Sequence, residues 1–140
     1  MTWAYPTDST WFGGLYGNDQ MTMYNAILSA TKNKICTNEV FDVIIPSGTA
    51  VQNARTSLIG DTLTRDGYHM DNGIARYGAS CTVFETLITP KYNKRLDGNA
   101  YTYEVSNSTT TPVTYSNAPI ARQAARYAIK NPYLVTQMNN

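Results

Sequence analysis

The sequence is short of charge, of histidine and of cysteine. Among 140 residues only 15% are charged, 11 Lys+Arg against 10 Asp+Glu, for a formal net charge of +1. A balance that near zero gives no electrostatic reason to bind nucleic acid or an anionic membrane. There is one histidine, and there are two cysteines, Cys36 and Cys81. So few scattered ligands argue against a zinc site, and neither a metal nor a cofactor is expected. Each cysteine reads first as a small buried hydrophobe, and a bridge between them is left open. No apolar run is long enough to span a membrane. The opening Met1-Thr2-Trp3-Ala4-Tyr5 has neither the basic start nor the apolar core of a secretory leader. That reads as a cytoplasmic chain or as one whose leader is missing. Repeats and linker-like stretches are lacking too, so residues 1–140 read as a single domain.

What is present is a globular composition, 42% hydrophobic, with 11 tyrosines and loops rich in Asn, Thr and Ser. That flavour suits polar ligands such as carbohydrate. Residues 1–5 read as a short strand cut off by Pro6. A loop follows with Trp11, Phe12, Leu15 and Tyr16 among glycines. Asn18 or Asp19 caps a helix over 20–32, with Met21, Tyr24, Ile27, Leu28 and Thr31 on one face. Val40-Phe41-Asp42-Val43-Ile44-Ile45 is a continuous apolar run ended by Pro46, the pattern of a strand buried on both faces. A second helix is predicted over 50–58, with Val51, Ala54 and Leu58 inward, and Gln52 and Arg55 on another side, toward a cleft. Asp71 or Asn72 caps a third helix, in which Ile74, Tyr77, Gly78, Cys81, Phe84 and Ile88 repeat at three and four. Its small Gly78 and Cys81 predict close approach to a sheet. Residues 101–105 and 112–115 suggest a hairpin, with a glycosylation-type Asn107-Ser108-Thr109 between them. Asn117 caps a last helix with Pro119 in its first turn and a face of Ala121, Ala124, Ala125 and Ala128. Alternating strands and helices predict an α/β fold with a parallel sheet, helices on both faces, and an appended hairpin plus C-terminal helix.

The chemistry converges on Arg65-Asp66-Gly67-Tyr68-His69. An Asp three residues before the only His, with a glycine between, can close in a tight turn onto Nδ1. The carboxylate then fixes the tautomer and leaves Nε2 to act as a base near neutral pH. The plain alternative is a surface turn in which the two side chains merely pair. Tyr68 either lines a cleft or lies under the turn. Trp3 and Trp11 read as a sugar platform or as core. Asp42, inside an apolar run, belongs at an edge or on backbone donors.

Taken together, these segments resemble the C-terminal part of an SGNH (GDSL-like) hydrolase, in a bacterial branch that is a domain of unknown function. The likeness runs in order through Trp3-Ala4-Tyr5, Gln20-Met21-Thr22-Met23-Tyr24, Ile45-Pro46-Ser47-Gly48-Thr49-Ala50-Val51-Gln52-Asn53-Ala54-Arg55, Asp66-Gly67-Tyr68-His69 and Gly73-Ile74-Ala75-Arg76-Tyr77-Gly78-Ala79. It closes on Ala128-Ile129-Lys130-Asn131-Pro132-Tyr133. The resemblance implies a flavodoxin-like three-layer sheet, serine ester hydrolysis, often of carbohydrate acetyl esters, and a secreted or periplasmic setting. It makes Asp66 the orienting carboxylate and His69 the base; the residues themselves put Arg55, Gln52 and Tyr68 on the substrate side, with a helix-surface salt bridge the equal alternative for Arg55. The departure is the nucleophile: no Gly-Asp-Ser is present. Thr7-Asp8-Ser9 imitates it after the first strand-like segment, making Ser9 a candidate, and Gly17-Asn18-Asp19 imitates part of the oxyanion motif. The other arrangement is a chain that starts near the family's fourth strand, with the serine encoded elsewhere or lost. Such a chain would associate with itself or with the missing N-terminal half. A non-catalytic binding or structural module that keeps the fold is the alternative to an esterase.

Overall fold

The computed structural model describes residues 1–5, 13–104 and 110–139. Its centre is three helices: α2 (Ser47–Arg55), α3 (Ile74–Leu87) and α5 (Ala118–Lys130). Each brings small residues to the others, so the helices approach closely. Ala54, Ala75, Ala121 and Ala124 are buried beside Val51 and Ile74. A Cβ placed on Gly78 of α3 would meet the Ala121 methyl of α5 at 3.7 Å. The predicted small face of α3 is therefore real, but its neighbour is α5 rather than a sheet. Leu58, expected to point inward, lies beyond α2 and is exposed, and Ile59 fills the core instead.

α1 (Gln20–Ala30) begins at Asp19, whose side chain accepts from the Thr22 N–H, and runs into a π-helical turn, Thr31–Ile35. Tyr24 and Leu28 bury with Ala4 in a second cluster. The Tyr24 hydroxyl meets Thr49 Oγ1 at 2.9 Å, and Thr49 donates to the Pro132 carbonyl at 2.6 Å. Those two bonds join α1, α2 and the end of the chain. Asn53 is fully buried and staples two more segments, donating to Ala124 O (3.2 Å) and accepting from Thr136 N (2.7 Å). Asn117 occupies the N-cap of α5 with Pro119 in the first turn, but its side chain turns back to Thr114 N and Pro112 O. The N-cap of α3 is Gly73, not Asp71 or Asn72. Pro90 opens a short further turn, α4 (Thr89–Tyr92).

The strand expectations fare differently. Among the described residues there is no sheet, only two isolated antiparallel bridges, Thr64↔Met70 and Tyr103↔Val113. The second is what forms of the predicted hairpin, whose residues 105–109, with Asn107, lie outside the described residues. The run 40–45 is irregular, and Val40, Phe41 and Val43 are exposed rather than buried. A β-branched run needs a ladder partner for its N–H and C=O groups. Here only Ile45 O finds one at the other extended segment, the Met1 ammonium at 2.8 Å. Both cysteines are free; Cys36 is exposed, against expectation, with Sγ 3.0 Å from the Tyr133 hydroxyl. Cys81 is buried, and that burial pushes its thiol up to about 11. Among the described residues no helix is long and apolar enough to cross a membrane.

Candidate functional site

The Asp66–His69 turn is held at both ends by the core. Leu63 and Met70 are buried, and the bridge between Thr64 and Met70 closes the loop. Inside it Arg65 N donates to His69 O at 3.0 Å, and Asp71 N donates to Leu63 O at 2.9 Å. Gly67 sits at φ +89°, a conformation that side chains resist, so the turn asks for glycine there. Below it, the buried Asp71 accepts from Gly73 N and Thr111 N, both at 2.9 Å. Asp71 therefore fixes the base of the turn to the segment before α5 instead of capping α3. Gly73 is needed for close approach: an added Cβ would lie 1.9 Å from the Thr111 carbonyl oxygen.

Within the turn, Asp66 Oδ2 lies 2.6 Å from His69 Nδ1. Asp66 Oδ1 accepts from the backbone N–H of His69 at 2.7 Å and of Tyr68 at 3.3 Å. Desolvation alone would raise this carboxyl. The His69 ring and those backbone donors outweigh it and hold Asp66 at about 2. An ionised Asp66 takes the Nδ1 proton's hydrogen bond, so the basic lone pair is left on Nε2. Among the described residues Nε2 makes no hydrogen bond, and the His69 side chain is 51% exposed. The Tyr68 ring is half exposed and lies 4.0 Å from the imidazole, centroid to centroid. The Tyr68 carbonyl accepts from Trp3 Nε1 at 2.9 Å. Trp3 thus supports the turn from the side, and its ring also lies against the core.

Arg65 and Asn72, placed by the sequence in the motif and at a helix cap, complete the turn in a role the sequence did not assign them. Arg65 brings Nε to 3.8 Å from Asp66 Oδ2 and donates through Nη1 to Asn72 Oδ1 at 2.9 Å. Their adjacency to the motif was the one available signal.

Gln52 and Arg55 are not on an open cleft. Gln52 is 3% exposed, and its amide donates to Gln20 Oε1 at 3.1 Å while its oxygen accepts from Arg55. The Arg55 side chain, 5% exposed, lies 2.6 Å from Asp61 and donates to the Ala4 carbonyl at 2.9 Å. Burial lowers the Arg55 pKa from its ordinary value, and Asp61 opposes the shift. Gln20 adds a bond to the Tyr5 carbonyl at 2.9 Å. This buried network anchors residues 3–5, which lead from it to the Asp66–His69 turn. Ser9 and Trp11 lie outside the described residues. Among those described, no group of three His, Cys, Asp or Glu could hold a metal ion.

Residues 1–128 match the domain of unknown function DUF4886. No curated protein matches. The chain is similar to the crystal structure of a DUF4886 family protein from Bacteroides uniformis ATCC 8492, with a TM-score of 0.79 and 40% sequence identity. The match covers 98% of this chain and 49% of that one, so the chain spans about half the length of its structural relative.

Proposed function

The chain belongs to the DUF4886 family, and on that footing we propose that it carries the general-base pair of a serine-type hydrolase of acyl esters, carbohydrate acetyl esters among them. The observation that carries this reading is the 2.6 Å bond between Asp66 and His69 Nδ1, with the same carboxylate pinned by two backbone N–H groups. In the proposed reaction His69 Nε2 takes the hydroxyl proton of a serine as its Oγ attacks the acyl carbon. The imidazolium so formed is balanced by Asp66, and its proton goes to the departing alcohol oxygen. Water then repeats the sequence on the acyl-serine and releases the acid. Ser9, in Thr7-Asp8-Ser9, is the candidate nucleophile within this sequence. A serine on polypeptide outside these 140 residues is the other arrangement, and the greater length of the structural relative leaves room for it. The proposal includes a flavodoxin-like α/β sheet, which the unpaired run 40–45 would join as a strand. It includes association of this chain with another copy or with the polypeptide that completes the sheet.

The test is labelling with a fluorophosphonate, followed by peptide mapping and by hydrolysis of p-nitrophenyl acetate. A labelled serine, together with loss of both labelling and turnover in His69→Ala, is the expected result. A label on Ser9 would complete the site within this chain. Hydrolysis that survives His69→Ala would remove His69 from the reaction. Absence of label and of turnover, in this chain and in a longer family member alike, would leave a binding or structural module.

A further inference from the structure

We propose that the cleft between the start of α3 and residues 99–103 is a saccharide-binding site, with Tyr101 and Tyr103 as ring platforms and Asn72, Arg76 and Asn99 as its polar rim. The cleft holds about 370 Å³, within the range of small-molecule sites. Its wall is built before any ligand arrives. The Tyr77 and Tyr101 rings stack nearly parallel, 10° apart in plane and 5.8 Å between centroids. The Tyr77 hydroxyl accepts from Arg122 Nη1 at 3.0 Å and donates to Asn99 Oδ1 at 3.4 Å. Arg122 also donates to the Asn99 carbonyl at 3.1 Å, and Asn99 Oδ1 accepts from Tyr101 N at 3.0 Å. The backbone of Tyr103 is fixed by its bridge to Val113.

Against this braced wall, Tyr101 is 52% exposed and Tyr103 41%. Exposed tyrosines set in a rigid wall give flat apolar area and a hydroxyl at small entropic cost. A pyranose offers the matching surface: a face of C–H groups ringed by hydroxyls. Beside the tyrosines, Gly73 and Val113, the lining is polar, Asn72, Arg76, Ser80 and Asn99, with Arg76 as its cation and no carboxylate. One cation is too few for a polyphosphate backbone. It suits a neutral sugar, or one bearing a single carboxylate, and a guanidinium grips a carboxylate in two places.

The cleft also borders the proposed chemistry. Asn72 lines it and accepts from Arg65, which reaches Asp66. As the site that presents a sugar ester to His69, it rests on the esterase reading; as a binding site, it does not.

The experiment is a panel of neutral and uronate-containing oligosaccharides, followed by titration calorimetry of the strongest binder. Wild-type protein is expected to bind saturably. Tyr101→Ala and Tyr103→Ala should each weaken binding by about tenfold or more, in protein that still melts cooperatively because both rings are about half exposed. Arg76→Gln should weaken the uronate-containing ligands more than the neutral ones. His69→Ala should bind like wild type even where hydrolysis is lost, so failure of the chemistry and failure of the site are told apart. No binding across the panel, or binding that survives both tyrosine substitutions in folded protein, would overturn the proposal.

Discussion

At the scale of single residues, the spacing Asp-x-x-His was legible and its consequence follows from local geometry. Three residues with a glycine at positive φ are enough to bring a carboxylate onto Nδ1 and onto two backbone donors at once. The folded carboxyl of Asp66 lies at about 2, below its ordinary 3.8. A depressed acid favours the fold where it is ionised. Its contribution is therefore complete above the unfolded value and fades as pH falls toward about 2. Carboxyl carbon shifts followed by NMR should place the Asp66 midpoint near 2, and a midpoint near 4 would mean that the pair does not persist in solution. Asp66→Asn should lower the proposed hydrolysis by roughly 10²- to 10⁴-fold, because an amide cannot fix the tautomer or balance the imidazolium. What the spacing could not reveal is Asp71. It reads as a helix cap, yet its two acceptors serve Gly73 and Thr111, a partner 40 residues away.

At the scale of elements, the helices followed from periodicity and caps. Asp19, Pro119 and the alanines of α5 behave as their types require. Their partners did not follow. A face of Ala121, Ala124, Ala125 and Ala128 demands a close neighbour, and it accepts a helix or a sheet equally well. The structure gives it helices, with Gly78 of α3 opposite Ala121. Ala124 is 1% exposed, so Ala124→Leu should force α5 away from its neighbours and cost about 1–3 kcal/mol in urea unfolding. A cost near zero would show that the helices are more loosely set. Gln52 and Arg55 make the same point for polar residues. Their place on another face of α2 was visible, but whether that face met solvent or Gln20, Asp61 and Ala4 depended on distant chain.

At the scale of the whole molecule, the notable feature is apolar surface that stays uncovered. Val40 and Leu58 are 79% and 86% exposed, and Phe41 and Val43 about half. Such surface, much of it in a run that forms no ladder, favours association. Light scattering over a concentration series should show mass rising with concentration, and Val43→Lys should reduce it. A constant monomer mass at every concentration would remove association from the proposal.

The sequence by itself determined the local matter: that four helices form, although α2 runs Ser47–Arg55 rather than 50–58 and α3 is capped at Gly73, and that one turn joins an aspartate to the only histidine. Each depends on residues within a turn or two of one another, where steric preference and hydrogen-bond reach decide. The tertiary structure alone decided that α3 lies on α5, that Arg55 is buried against Asp61, and that Tyr77, Tyr101 and Tyr103 share a cleft. Those groups come from positions 6 to 43 residues apart, and only the packing of the core brings them within contact distance. The run 40–45 shows the limit most plainly, since β-branched residues state a preference for a strand but only a neighbouring backbone can make one.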